Sequence, residues 1–112
     1  MLTLGSSQIY LVYITVKDQE EGLSIAKQVL EKKLVACANL HPNIRSAFLY
    51  KGQMQIEDES VLILKTTTLK YDELEKFVLA IHSYENPCVL KLPVHSGSEA
   101  FTKWIERNVI SE

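Results

Sequence analysis

Cysteine, arginine and glycine are scarce in this 112-residue sequence, and each scarcity closes off a class of chemistry. Cys37 and Cys88 are the only cysteines. Far apart in the chain, they make neither a CxxC pair nor a framework of bridges, so free thiols in a reducing cytosol are expected. A soft-metal carrier of small α+β type places two thiolates in the loop after its first strand, and the corresponding stretch here, VKDQE, holds none. Arg45 and Arg107 are the only arginines, and neither lies beside a glycine-rich loop, so no arginine-clamped phosphate site is encoded. GxSxG, HExxH, Walker-type and dinucleotide motifs are absent too.

Charge of one sign and long apolar runs are also missing. The net charge is −2, with lysines scattered among acids, which gives no electrostatic reason to bind nucleic acid. The longest early apolar run, Ile9 to Ile14, falls far short of the ~20 residues that span a bilayer. The opening MLTLGSSQIYLVYITV shows no basic leader or cleavage site. A cytoplasmic protein without membrane attachment is the expectation.

What is present is an ordinary apolar fraction, 46%, in a chain long enough for one domain spanning 1–112. QIYLVYITV, rich in β-branched and aromatic residues, predicts a strand at 8–16 covered on both faces. Asp18 with Glu21 three residues later predicts a capping box and a helix over 19–35, with Leu23, Ala26, Val29, Leu30 and Leu34 as its apolar stripe. From Ala36 the period falls to two, predicting a short strand that Pro42 ends in a loop. SAFLYKGQMQIE reads as a hairpin turning at Gly52, and ESVLILKTT continues the returning strand through a kink near 57–59. A second helix is predicted at 69–82 on Tyr71, Leu74, Phe77, Val78 and Ile81, with Asp72, Glu73 and Glu75 near its positive end. CVLKLPVH then reads as a strand that Cys88 begins, and Ser98 caps a last helix with Phe101, Trp104, Ile105 and Val109 on one stripe.

The order β-α-β-β-α-β plus a terminal helix predicts an α+β, ferredoxin-like antiparallel sheet with two helices on one face. Something else must then cover the other face, either the last helix or another subunit.

EKKLVACANLHP, SAFLYKG, ESVLILKT, HSYENP and LPV, followed by a Trp-containing helix, resemble the CutA family associated with divalent-cation tolerance. The resemblance covers nearly the whole chain. Its LAACxN step falls on Leu34, Val35, Ala36, Cys37 and Asn39, and its SxYxWxG stretch on Ser46, Phe48, Tyr50 and Gly52. Its acid-to-KT pattern falls on Glu59, Lys65 and Thr66. Its HPYExPE stretch falls on His82 to Cys88, with Ser83 for the first proline and Cys88 for the final acid. The resemblance implies a PII-like homotrimer that is not an enzyme and needs no metal to fold. It also implies inter-subunit clefts taking copper (Cu2+), another divalent cation or a small effector.

Cys37 and His82 are the candidate metal ligands, and Glu59, Lys65 and Tyr84 the candidate lining of a polar cleft. Plainer roles compete with each. Cys37 and Cys88 suit buried thiols, His82 a helix C-terminus, and Glu59 with Lys65 an ion pair. Cys37 and His41, four apart on a strand, are separated by roughly 13 Å and do not chelate one ion by themselves. Two other functions stay open: a regulatory module holding a small anion near Lys65, and a small hydrolase using Glu59 with His82.

Overall fold

Alternation at period two sends Val12, Ile14 and Val16 of β1 (Ile9–Val16) to one face, and all three are fully buried there. The structure, a computed structural model, describes residues 8–109. After β1 come α1 (Gln19–Glu31), β2 (Cys37–Tyr50), β3 (Gln53–Thr67), α2 (Thr68–Ile81), β4 (Val89–Pro93) and α3 (Glu99–Asn108). The four strands form one antiparallel sheet in the order β2-β3-β1-β4, the ferredoxin-like arrangement the sequence predicts. Residues of α1 and α2 meet Val12, Ile14, Leu62 and Leu64 in the main core. A second, smaller cluster joins Ile9 to Ile105 and Val109 at the end of α3.

The first helix begins as predicted and ends sooner. The Asp18 carboxylate accepts the Glu21 N–H at 2.9 Å, while Glu21 accepts the N–H of Lys17 at 3.1 Å, one residue earlier than a capping box would place it. Its end is a Schellman turn: Lys33 N–H donates to the Leu30 carbonyl and Leu34 N–H to the Val29 carbonyl, with Lys33 at φ 59°. Leu34 and Val35 are buried from the loop beyond. The face that packs carries Gly22, Ile25, Ala26 and Val29, so the predicted stripe is half right, and Leu23 and Leu30 are exposed. Gly22 sets this choice. A Cβ there would come within 2.6 Å of Leu40 Cδ1 and 3.2 Å of Val16 Cγ2, so glycine lets α1 sit this close to β2 without displacing either side chain.

Pro42 does not end the second strand. β2 runs through it as a bulge: His41 pairs with Val61 and Ile44 with Glu59, so two residues of β2 face one of β3. Asn43 takes the strain at φ 61°. β3 is continuous, and the irregularity expected at 57–59 lies on its partner instead. The hairpin turns on Lys51 and Gly52, both at positive φ, which matches the right-handed twist of the two strands.

Past the bulge this hairpin leaves the helices behind. The radius of gyration is 15.0 Å and the long axis 48 Å, against about 13 Å expected for the radius of a compact chain this long. Helix α2 starts at Thr68 and carries no acid in its first turn, since Asp72 begins the second. Cys88 precedes β4 rather than beginning it. On α3, Thr102 and Ile105 are the buried residues, while Phe101 and Trp104 stack on each other at 5.4 Å, each partly exposed to solvent.

Candidate functional site

Two places gather the candidate residues, one at each end of the sheet. The first lies where β1 ends, α1 begins, α2 ends and β3 passes. The Tyr84 hydroxyl donates to Glu59 Oε2 at 2.6 Å. His82, whose side chain is fully buried, sits under it with ring centroids 4.8 Å apart. Its Nδ1 accepts the Tyr84 N–H at 3.1 Å, so the ring proton resides on Nε2, which donates to the Thr15 carbonyl at 2.8 Å. Glu21 closes the network. Its Oε2 accepts the Ser83 N–H at 2.8 Å and lies 3.7 Å from His82 Nδ1.

The electrostatics follow from these contacts. Burial and the hydrogen bond to Glu59 raise the Tyr84 phenol well above its ordinary value, so it stays a donor. Burial alone would raise the Glu21 carboxyl. The N–H of Lys17, the Ser83 contacts and nearby His82 outweigh it, and the carboxyl lies below its ordinary range. His82 was expected to cap α2 with its ring; instead its backbone N–H donates to the Val78 carbonyl, and the ring crosses to β1.

The second place lies on the sheet face away from α1 and α2. Cys37 and Lys65 are partners across β2 and β3, and Leu11 of β1 pairs with Lys65 on its other side. Lys65 Nζ sits 3.5 Å from Cys37 Sγ, donates to Asn39 Oδ1, and lies 6.0 Å from the Phe101 ring centre. Among the described residues no carboxylate lies within ion-pair distance of it. The expected Glu59–Lys65 ion pair is therefore not formed, because six residues of strand set them roughly 20 Å apart.

The chain brings Glu59, Tyr84 and His82 together and sets Cys37 beside Lys65, but it does not unite the two groups. Cys37 is in register with Leu11, whereas His82 reaches Thr15, four residues further along β1, about 13 Å. Among the described residues no group of three histidine, cysteine or acidic side chains is arranged to hold a metal ion. Both cysteines are free and partly buried. Sequence reasoning saw Glu21 only as a helix cap and missed its second oxygen, which nothing local reveals. It also passed over Asn39, although Asn39 shares the period-two face of Cys37 and so was within reach of the same argument.

The family model described as CutA1 divalent ion tolerance protein matches residues 10–108. The divalent-cation tolerance protein CutA of Archaeoglobus fulgidus is 41% identical over 98 residues, 88% of this chain and 95% of that relative. The chloroplastic CutA of Arabidopsis thaliana is 35% identical over the same length, which is 54% of that longer protein. The solved structure of Archaeoglobus fulgidus CutA, described as periplasmic, superposes with a TM-score of 0.88 at 38% identity, covering 91% of this chain and 99% of that one.

Proposed function

The chain belongs to the CutA1 divalent ion tolerance family, and from that premise we propose that it serves divalent-metal tolerance as a non-enzymatic homotrimer. We place its metal or effector site between subunits. The observation that carries this reading is the distribution of apolar surface. Leu90 and Leu92 of β4, Phe101 and Trp104 of α3, and Leu49, Met54 and Ile56 of the hairpin are all exposed. A monomer leaving that much apolar surface in water gains nothing from it, whereas subunits packed on it do.

The same premise supports a shared ligand site. Cys37, with a thiol suited to copper or zinc, lies partly buried beside Lys65 on the sheet face away from α1 and α2, and the described residues supply too few ligands around it. A neighbour completes the set. His82 would have to give up the Tyr84 N–H or the Thr15 carbonyl to bind metal, so Cys37 is the stronger ligand of the two proposed. Free thiols at Cys37 and Cys88 suit a reducing compartment, which supports a cytoplasmic location.

Native mass spectrometry with copper and zinc titrated onto the apoprotein tests this reading. A trimer is expected to take up a fixed number of ions, fewer in Cys37→Ser. A monomer at micromolar concentration, or uptake indifferent to Cys37, refutes it. One observation favours a second reading in which a small anion fills the cleft: Lys65, partly buried and without a carboxylate partner among the described residues, offers a positive charge to such a ligand. In that case Lys65→Met removes anion binding and leaves ion uptake intact.

A further inference from the structure

A groove of about 700 Å³ opens between the start of α2 and the end of α3, and neither Lys65 nor Cys37 lines it. Its volume is that of a ligand cleft. Five of its nine lining residues are charged, so charge decides what it can hold. Lys70 and Glu73 offset each other across 3.2 Å, and Lys103 is paired with Glu99 at 3.1 Å. Arg107 and Glu106 form no ion pair among the described residues. The side chains by themselves therefore leave the groove close to neutral.

The backbone adds positive charge. Helix α2 starts at the groove with no acid in its first turn and no side chain capping it, so the N–H groups of residues 68 to 70 have no partner within the helix and carry its partial positive charge. The residue before the helix gives a second, independent sign. Thr67 is 7% exposed, and its hydroxyl has no hydrogen-bond partner among the described residues, whereas that of Thr68 donates to Gln8 Oε1 at 2.8 Å. Among the described residues no side-chain oxygen or nitrogen is sealed in the interior without a partner. The Thr67 hydroxyl therefore opens on the groove that Thr67 lines. A donor left unused at that depth gains a partner only when something enters. Beside it, Val109 and the 91% exposed Leu69 supply apolar wall.

The geometry points to a binding site for a small organic anion of single charge, a monocarboxylate with an apolar body. Its carboxylate accepts from the Thr67 hydroxyl and the N–H groups of residues 68 to 70. The body lies on Leu69 and Val109. Arg107 attracts the ligand, and Glu106 opposes any second negative charge on it.

Titration of sodium octanoate onto the full-length chain, read as amide shifts by NMR, tests the site. Saturable shifts are expected at 68–70 and 105–109, with octylamine at the same concentration causing none there. Thr67→Val keeps the shape of the side chain and is expected to weaken binding about tenfold, and Arg107→Gln about threefold. Lys65→Met, which removes the anion site proposed for the inter-subunit cleft, leaves octanoate affinity at this groove unchanged. Shifts that grow without saturating overturn the proposal, as does Thr67→Val binding as tightly as the native chain. It falls equally if octylamine moves the same amides, which means apolar contact alone, or if inorganic phosphate moves them as strongly, which means a site for multiply charged anions.

Discussion

The β2–β3 ladder is one continuous structure with two unlike ends. Between Cys37 and His41 it is roofed by helices, and its inward residues Leu62 and Leu64 are fully buried. Beyond Ile44 the same two strands stand alone, yet still pair apolar residues: Ala47 with Ile56 and Leu49 with Met54, on the side continuous with the helix-covered face. Leu49 is 77% exposed there. The first end carries what the chain needs to fold; the second carries apolar surface that only another molecule rewards.

The difference is sharpest in the response to truncation. Leu64→Ala opens a cavity in the roofed end and is expected to cost about 3 kcal/mol, read as a lower denaturation midpoint at fixed protein concentration. Leu49→Asp with Met54→Asp should leave the circular dichroism of the fold unchanged and cut the mass in light scattering to that of one chain. A folded trimer in that variant would mean that the arm does not join subunits.

Glu21 tests the seam between helices and sheet. Glu21→Gln is expected to cost about 1 kcal/mol near neutral pH through its weaker hold on the Lys17 and Ser83 amides. Because the folded carboxyl titrates below its ordinary value of 4.5, the native residue's advantage is full above about pH 4.5 and fades as the pH falls. Urea titrations of both forms across that range should converge at acid pH. The smallest effect belongs to Lys33, held at φ 59° at the end of α1. Lys33→Gly should raise stability by up to about 1 kcal/mol in the same assay.

These experiments also mark how far the sequence could be read. Period-two and helical patterns placed every element in order, because burial on one face leaves its mark on successive residues. Boundaries were harder. Helix α1 stops at a lysine in a left-handed turn, a conformation that glycine announces and lysine does not. Its buried stripe was read half right, with Ala26 and Val29 placed correctly, because Leu23 and Leu30 outweigh Gly22 in any count of apolar residues, although Gly22 is the residue that packs against Leu40. On α3 the expected Ile105 and Val109 are buried, but the two aromatics of the stripe are not, and the small Thr102 is buried in their stead. Of the site, the Glu59–Tyr84 contact joins residues named from the family resemblance. The Lys65 cluster and the Glu21 link depend on strand register and loop closure, which no local pattern contains.

The surplus residue at Pro42–Asn43 separates two properties that a protein surface usually fixes together. Register shows that removing one residue there would leave every side chain of the arm opposite the partner it has now, and on the same face. What would change is twist and bend, since a bulge sharpens both. In the trimer proposed above, adhesion would rest on the exposed Leu49, Met54 and Ile56, and aim on a single inserted position. Substitution would then tune how strongly the arm holds a neighbour, and a one-residue deletion would redirect it, each without disturbing the other.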